Sequence, residues 1–552
     1  MRVARPPELR ASRLTNAVAI LAPAAVALAV FATTLRNGLL YDDPAALARA
    51  AAPMRALVLQ RYGLTSLSIR VDRMLWDAWP PGLHLTNVLL HGVSTALAAG
   101  CALALTRETR AALVTGLLFA VHPVHVEAVA SIENRKEMLA FAFVAASLLL
   151  QGVRPRRAWS SLAALAALAL ALGAKDVAAA GAAVMLPAAG VLYDDAESMR
   201  RRLARGPRRA LAPLLLGGAA TVWYAGNLAA RFTPEAIGQA TAGLCQSYGQ
   251  VLLASVSAVP EVARLLFFPL RLSADYPARL PSGAGDPVVL LGIVVLLGAV
   301  TTAFLVARSA PVATFAIAWV WVMYLPLSNL VPLTPYFVAE RYLYVPSFGA
   351  CLLAAVCGVA AYERAAAARP SHARAVALGV LVLVVGAGEL RAAARSRDWR
   401  DELSLWTSAV DAVPAASGRA HNELGRALWM AGRSSEAIPH LQRALDLGMD
   451  TPDTRSNLGM ALLGVGRLDE AIGEFARALD AWPANPLIRY NLAWTLLEAG
   501  RREEALPYLR ELATEAAWSD LSPAVIAALA ARGASPEGFR SSVRRWLARQ
   551  GY

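Results

Sequence analysis

The chain has 552 residues, of which 57% are hydrophobic, and it carries a formal net charge of +13 at pH 7. A water-soluble protein of this length does not carry so much apolar sequence, so the composition indicates a polytopic membrane protein with a further part appended. The positive charge does not indicate a nucleic-acid binder, because many arginines lie in short segments between long apolar stretches.

The first apolar stretch, residues 14–35, is long enough to cross a bilayer. Four arginines precede it: Arg2, Arg5, Arg10 and Arg13. They predict a cytoplasmic N-terminus, so Tyr41-Asp42-Asp43 is expected at the outer membrane surface. Paired carboxylates there suit an enzyme that transfers a group from a lipid carrier to an outside acceptor. The alternative is a solvated turn that ends the helix.

About eleven apolar stretches have the length of a membrane span. They are residues 14–35, 84–105, 111–131, 136–151, 158–174, 176–193, 208–228, 287–307, 311–330, 342–362 and 373–391. This count puts the arginine-bearing loops, of which residues 200–209 are the densest, on the cytoplasmic side. Residues 251–270 contain charged residues and prolines, so we expect an interfacial helix on the outer leaflet. Residues 229–286 then form an outer loop, and the C-terminal part also lies outside.

Polar residues collect where the predicted second and third spans reach the outer face. His84, Asn87 and His91 recur at helical spacing and share one face. They either face a cavity or form hydrogen bonds between helices. His122, His125 and Glu127 follow in the next outer loop.

Those last three residues are metal ligands by type. Their spacing matches no standard zinc pattern, and Pro123 prevents a regular helix through both histidines. We therefore predict no metal site here, and expect the group to orient an acceptor or sense a phosphate. The chain also lacks a glycine-rich phosphate loop or nucleotide fingerprint, and we predict no cofactor.

Two further basic residues are expected at the outer face. Lys175 lies at a turn between two spans, and Glu340-Arg341 opens the tenth span. A guanidinium at the bilayer surface can hold the phosphate of an anionic lipid by two hydrogen bonds. Arg341 could equally pair with Glu340 or with a lipid headgroup.

The composition changes after residue 391 to that of a soluble helical protein. Leu424-Gly425, Leu458-Gly459 and Leu492-Ala493 recur with a period of 34, and so do Gly432, Gly466 and Gly500. This period is typical of tetratricopeptide (TPR) repeats, each of two antiparallel helices. We predict an all-α chain with a membrane domain at residues 1–395 and an extracytoplasmic TPR α-solenoid at 396–552. Its concave groove could bind an acceptor protein or peptide, or the repeats could act as a spacer.

Several motifs together resemble one family. They are Tyr41-Asp42-Asp43, Leu64-Thr65-Ser66-Leu67-Ser68 with Leu75-Trp76, His84-Leu85-Thr86-Asn87 with Leu89-Leu90-His91, His122-Pro123-Val124-His125-Val126-Glu127-Ala128-Val129-Ala130, Lys175-Asp176, and Glu340-Arg341-Tyr342-Leu343-Tyr344-Val345-Pro346-Ser347. In this order, and followed by the repeats, they resemble the transmembrane and TPR-repeat-containing O-mannosyltransferases and their bacterial relatives. These belong to the GT-C superfamily of polyprenyl-phosphate-dependent glycosyltransferases.

The resemblance implies a GT-C-like helical bundle and a lipid-linked sugar donor. It also implies that an acid of the first outer loop, here Asp42 or Asp43, acts as the general base, and that Arg341 and Lys175 hold the lipid phosphate. The chain departs from the family pattern at Arg61-Tyr62-Gly63, where Tyr-Arg-Pro is usual, and at Asp176, where the family has Glu. These departures bear on substrate choice more than on fold.

The sequence therefore predicts an integral membrane glycosyltransferase, and the expected membrane is a bacterial inner membrane. It would transfer a sugar, for which mannose is one candidate, from a polyprenyl-phosphate carrier to a Ser or Thr hydroxyl or another acceptor outside the cytoplasm. The lipid bilayer, the donor and an acceptor protein are the expected partners, and nucleic acid is not. Two alternatives stay open: a non-enzymatic TPR scaffold anchored in the membrane, and a transporter of lipid-linked sugars.

Overall fold

A computed structural model describes most of the chain. The described residues are 7–59, 62–152, 158–175, 181–182, 184–186, 188–189, 232–241, 244–332, 334, 336–413, 417–514 and 536–549. These residues form helices, turns and irregular segments, and none of them is in a β-strand. The predicted span 208–228, the basic loop 200–209, Asp176 and most of the predicted span 176–193 lie outside them.

Contacts divide the chain into two units, Met1–Leu272 with Tyr276–Arg400 and Ser273–Asp275 with Asp401–Tyr552. The helices of the first unit are α1 Pro7–Phe31, α2 Asp43–Ala50, α3 Met54–Leu59, α4 Gly63–Trp76, α5 Pro80–Thr106, α6 Thr109–Ala120, α7 Val126–Ala130, α8 Arg135–Gly152, α9 Ala158–Ala174, α10 Pro234–Ala240, α11 Tyr248–Phe267, α12 Pro287–Val306, α13 Pro311–Tyr324, α14 Tyr344–Ala368 and α15 Pro370–Asp398.

The first unit is that of an integral membrane protein. Among the described residues, six helical segments are long and apolar enough to cross a membrane: Arg13–Arg36, Pro80–Thr106, Tyr248–Phe267, Pro287–Val306, Glu340–Ala368 and Pro370–Asp398. Five of the six coincide with predicted spans. The all-α fold class, membrane helices followed by repeats, is thereby confirmed.

The other predicted spans take different forms. Residues 111–131 are a pair of helical segments, Thr109–Ala120 and Pro123–Ala130, bent by 51° at a break. The break follows from Pro123, which lacks the N–H that a continuous helix needs. Trp159–Ala174 and Pro311–Leu327 are shorter apolar helices. Tyr248–Phe267 has the length of a span, and the interfacial position expected for residues 251–270 stays a prediction.

Helix α4 lies between the first two predicted spans, and its polar side chains face the protein while apolar ones are exposed. Arg70 Nη1 donates to the carbonyl of Ala52 at 2.6 Å, and Asp72 is buried in an ion pair described below. The apolar Met74 and Leu75 are exposed by 80% and 66%. Such an arrangement suits a lipid environment rather than water.

The second unit is a stack of helical hairpins. Its helices are α16 Glu402–Ala412, α17 Gly418–Met430, α18 Ser434–Asp446, α19 Pro452–Gly464, α20 Leu468–Ala481, α21 Pro486–Glu498, α22 Arg502–Leu512 and α23 Pro536–Arg549. The period of 34 has a packing cause: a Cβ built at Gly425 would lie 2.5 Å from Leu441 Cγ, and one at Gly459 would lie 2.7 Å from Phe475 Cε1. Each hairpin therefore needs a small residue where its two helices meet.

Candidate active site

The acid pair sits at the start of α2, and its two members have different surroundings. Tyr41 takes a left-handed conformation with φ of 58°, which turns the chain out of the preceding segment. Asp42 is the exposed residue before the helix, and its carbonyl accepts the first helical hydrogen bond, from Ala46 N at 3.0 Å. Asp43 is fully buried. The pair thus offers one accessible and one enclosed carboxylate.

The Asp43 carboxylate accepts hydrogen bonds from three donors. Oδ1 accepts from Ser131 Oγ at 3.0 Å and from Glu133 N at 3.1 Å, and Oδ2 accepts from Leu40 N at 3.3 Å. These bonds favour the ionised form, but burial outweighs them and raises the pKa of Asp43 from 3.8 to about 7. Asp43 therefore ties α2 to the loop that contains Ser131.

Arg341 is held by a carboxylate from another segment. Its backbone N donates to Glu127 Oε2 at 2.8 Å, and its side-chain Nη1 forms an ion pair with Glu127 Oε1. The guanidinium carbon lies 5.2 Å from the ring centre of Tyr336 and 5.0 Å from that of Tyr342. The ion-pair partner of Arg341 is thus Glu127, whereas Glu340, which was considered from the sequence, pairs with Arg395.

Lys175 lies over the same aromatic ring. Its Nζ is 5.3 Å from the ring centre of Tyr342, and it forms a buried ion pair with Glu137. The acid loop reaches this group through the hydroxyls of Tyr41 and Tyr336, which are 3.5 Å apart. The structure thus brings the Asp42–Asp43 loop, Arg341 and Lys175 together, although they are far apart in sequence.

Glu340 has a separate role. It is fully buried, and Oε1 accepts hydrogen bonds from Arg395 Nη2 and from Tyr276 OH, each at 3.0 Å. This side chain fixes the segment that carries Arg341 to the last turns of α15.

The predicted histidines are buried and bind other segments of the first unit. His84 Nε2 lies 3.2 Å from the carbonyl of Gly38, and His91 Nδ1 lies 2.8 Å from the hydroxyl of Tyr344. Asn87 Nδ2 donates to the carbonyls of Val129 and Ser131. All three residues therefore make contacts between segments, which is the second of the two readings that their helical spacing allowed.

His122 and His125 lie on either side of the bend between α6 and α7. His122 Nε2 is 3.0 Å from the carbonyl of Leu266, and His125 Nε2 is 2.8 Å from Ser347 Oγ. Over the part of the chain that the structure describes, no group of three or more His, Cys, Asp or Glu side chains has an arrangement that could hold a metal ion.

Sequence reasoning missed three buried charges as parts of the site. Arg135 pairs with Asp72, and Glu137 pairs with Lys175; all these side chains are at most 4% exposed. The available signal was the run Glu133-Asn134-Arg135-Lys136-Glu137 at the start of an apolar stretch. Buried charges beside a membrane segment need partners, and their partners are far away along the chain.

Comparison with known proteins finds similarities for the C-terminal repeats and for most of the chain as a whole. The family model described as "Tetratricopeptide repeat" matches residues 388–452 and 456–520. Protein O-mannosyl-transferase Tmtc3 of Drosophila melanogaster is 27% identical over 458 residues, which cover 70% of this chain and 48% of that protein. Mouse TMTC4, also named a protein O-mannosyl-transferase, is 27% identical, with 68% and 56% covered.

The resemblance to the TMTC O-mannosyl-transferases is confirmed. The chain spans about half the length of the curated relatives that it matches. A structure of ArnT from Cupriavidus metallidurans, described as bound to undecaprenyl phosphate, covers 85% of this chain with 18% identity and a TM-score of 0.39. That score is too low to establish a common fold.

Proposed function

We propose that this TMTC-like protein is an integral membrane glycosyltransferase. It transfers a sugar from a polyprenyl-phosphate carrier to a hydroxyl group of an acceptor outside the cytoplasm. The observation that carries the proposal is the exposed Asp42 beside a buried Asp43, in a loop that contacts the group around Arg341. Mannose is the first donor sugar to test, because the relatives are named O-mannosyl-transferases.

In this proposal Asp42 is the general base. It is exposed and can meet an acceptor hydroxyl, whereas every face of Asp43 is enclosed. Asp43 instead fixes the start of α2 through its hydrogen bonds to Ser131, Glu133 and Leu40. A base of this kind contributes about 10²–10⁴-fold to the rate of a transfer reaction.

Arg341 and Lys175 hold the donor phosphate. Each uses only some of its donors on its carboxylate partner, since a guanidinium has five N–H groups and an ammonium has three. Glu127 and Glu137 orient the two cations, which lie 5.0 Å (Arg341) and 5.3 Å (Lys175) from the ring centre of Tyr342. The two carboxylates and the two cations together carry no net charge, so in this proposal the phosphate is held by the remaining N–H donors of Arg341 and Lys175 and not by an excess of positive charge.

The reaction is a single displacement. The acceptor oxygen attacks the anomeric carbon, and the bond from that carbon to the phosphate oxygen breaks with its electron pair on the phosphate. Asp42 takes the hydroxyl proton. The leaving phosphate is stabilised by the two cations, so the step needs neither a metal ion nor a strong general acid.

The proposed topology places the N-terminus in the cytoplasm and the acid loop and the repeats outside, in a bacterial inner membrane. The concave side of the repeat stack would hold the acceptor protein or peptide near the membrane. This assignment follows the distribution of arginines in the sequence.

The test is sugar transfer by the purified full chain in lipid nanodiscs, with radiolabelled polyprenyl-phosphate mannose and other polyprenyl-phosphate sugars as donors. Membrane and periplasmic extracts supply acceptors. The variant Asp42→Asn should lose transfer by about 10²-fold or more. The matched control is Asp77→Asn, because Asp77 is also an exposed acid of this loop and Asn tolerates its φ of 53°. Equal activity of wild type and Asp42→Asn would refute the role of Asp42. Absence of transfer from every donor would favour a scaffold.

A further inference from the structure

A chain of buried hydrogen bonds connects the acid pair to the interior of the first unit. It begins at Arg135, whose side chain is fully buried and paired with Asp72 of α4. Asp72 also accepts a hydrogen bond from Thr86 Oγ1 at 2.9 Å. A buried ion pair of this kind costs desolvation energy and is stable only when its other hydrogen bonds are made.

Arg135 orients the side chain of Asn87, which is the next member of this series of hydrogen bonds. Its Nε donates to Asn87 Oδ1 at 2.7 Å, which fixes the amide so that Nδ2 points the other way. Nδ2 then donates to the carbonyl of Val129 at 3.0 Å and to that of Ser131 at 2.9 Å. The side chain of Asn87 thus binds two backbone carbonyls at and just after the end of α7.

Ser131 completes the connection. Its backbone is held by Asn87, and its hydroxyl donates to Asp43 Oδ1 at 3.0 Å. Asp43 begins α2, directly after Asp42. Arg135, Asn87 and Ser131 are each fully buried, so water does not substitute for a lost hydrogen bond without rearrangement.

We propose that Arg135, Asn87 and Ser131 are positioning residues for the acid pair: their hydrogen bonds hold Asp43 and thereby fix the backbone at Asp42. This inference rests on the proposed function for its catalytic meaning. Its structural content is a loop held by three side chains, from α5, from the segment between α7 and α8, and from the first residue of α8, and it stands on the contacts alone. Because all three residues are fully buried, we assign them a role through Asp43 and not a contact with the donor or the acceptor.

The geometry explains why a small displacement matters. Misplacement of a catalytic group by about 1 Å costs about 10²-fold in rate, because the acceptor hydroxyl and the base must meet within hydrogen-bond distance. The Asp43 carboxylate accepts hydrogen bonds from three donors, and these bonds are stronger when it is ionised than when a proton occupies one of its oxygens. Several charged or titratable groups lie on the elements around it: Asp42 and Arg49 on its own segment, Glu133, Arg135, Lys136 and Glu137 after Ser131, Arg70, Asp72 and Arg73 on α4, and His84 on α5.

The test compares Ser131→Ala with Ser147→Ala in the full chain in nanodiscs. Ser147 is a matched control, because it is a buried serine of α8 whose hydroxyl donates to the carbonyl of Ala164 at 2.8 Å, outside this chain of bonds. The first readout is hydrogen–deuterium exchange of residues 40–50. Ser131→Ala should raise exchange there by about tenfold, and Ser147→Ala should leave it unchanged.

The second readout is the pH dependence of kcat and KM for transfer. Ser131→Ala should lower kcat by about tenfold at unchanged donor KM. It should also move the acidic limb of the rate profile to higher pH, because the ionised Asp43 carboxylate holds the loop of Asp42 in place and the lost hydroxyl stabilised that ionised form. A smaller amount of folded protein does not move that limb. A second variant, Arg135→Lys, keeps the charge opposite Asp72, loses the Nε donor to Asn87 and should show the same pattern.

The proposed sugar transfer and the proposed positioning of the loop can be refuted separately. If wild type transfers no sugar, the proposed function fails, and exchange alone decides whether these residues hold the loop. If Ser131→Ala matches wild type in exchange, or if its rate profile keeps its acidic limb where wild type has it, the positioning role is overturned.

Discussion

Glu340 and Arg395 form an ion pair in which neither side chain is exposed to any extent. Arg395 Nη2 lies 3.0 Å from Glu340 Oε1, and Tyr276 OH donates to the same oxygen. The pair joins the residue before Arg341 to the end of α15. Because it is adjacent to a proposed phosphate ligand, its loss would disturb the site as well as stability.

Removal of either Glu340 or Arg395 should therefore destabilise the protein. Glu340→Gln or Arg395→Met leaves a buried, uncompensated polar group, and each should lower the free energy of unfolding by about 3–5 kcal/mol. Replacement of both residues should cost less than the sum of the two single changes. Thermal unfolding in one detergent checks this by a double-mutant cycle. Glu436→Gln, which breaks the exposed pair with Arg433, is the control and should produce no measurable shift. Additive effects of the two buried changes would contradict the prediction.

Asp43 should make stability depend on pH in a specific direction. Its folded pKa of about 7 is above the ordinary 3.8, so the folded state binds the proton more tightly than the unfolded state. The resulting stabilisation is complete below pH 4 and is lost as the pH rises through 7. Asn at this position is neutral at every pH. The melting temperature of Asp43→Asn relative to that of wild type should therefore be higher at pH 8 than at pH 5. Melting temperatures of both proteins at the two pH values measure this, and a difference independent of pH would contradict it.

Arg341→Lys should affect donor binding more than turnover. Lysine keeps the charge but loses the planar set of donors that holds both Glu127 and a phosphate. We expect the KM for the polyprenyl-phosphate sugar to rise about tenfold or more, with a smaller change in kcat. Arg279→Lys is the matched control, because Arg279 is an exposed arginine of the same unit, paired with Asp286. An unchanged KM in Arg341→Lys would remove Arg341 from the phosphate site.

The repeat unit makes a prediction that does not depend on enzyme activity. Gly459→Ala would bring a methyl group within 2.7 Å of the Phe475 ring, and it should destabilise the repeats by about 1–3 kcal/mol. Gly473→Ala is the control in helix α20. Its Cβ would meet only the end of the Arg477 side chain, at 3.4 Å, so alanine should stabilise the helix by about 0.5–1 kcal/mol. Thermal unfolding followed by circular dichroism compares the two variants, which should shift in opposite directions.

The sequence was most informative where a pattern is local. The repeats could be predicted because a small residue recurs wherever two helices touch, and the long apolar helices because a bilayer sets their length. The acid pair could be singled out, but not the burial of Asp43, which comes from Ser131 and Glu133 about ninety residues later. For the same reason the partners of Arg341 and Lys175 were not predicted. Ion pairs between distant segments leave no periodic trace.

The arrangement of polar and apolar side chains on α4 has a practical consequence. The apolar face with Met74 and Leu75 is exposed, while the opposite face supplies Asp72 to Arg135 and so supports the acid pair. The lipid or detergent that covers the exposed face of α4 therefore affects the position of the proposed base. Extraction into a detergent that covers α4 poorly should loosen the loop before it unfolds the membrane helices. Lipid composition then becomes an experimental variable of the proposed transfer reaction, and a preparation with an unchanged melting curve would still lose that activity if α4 were displaced.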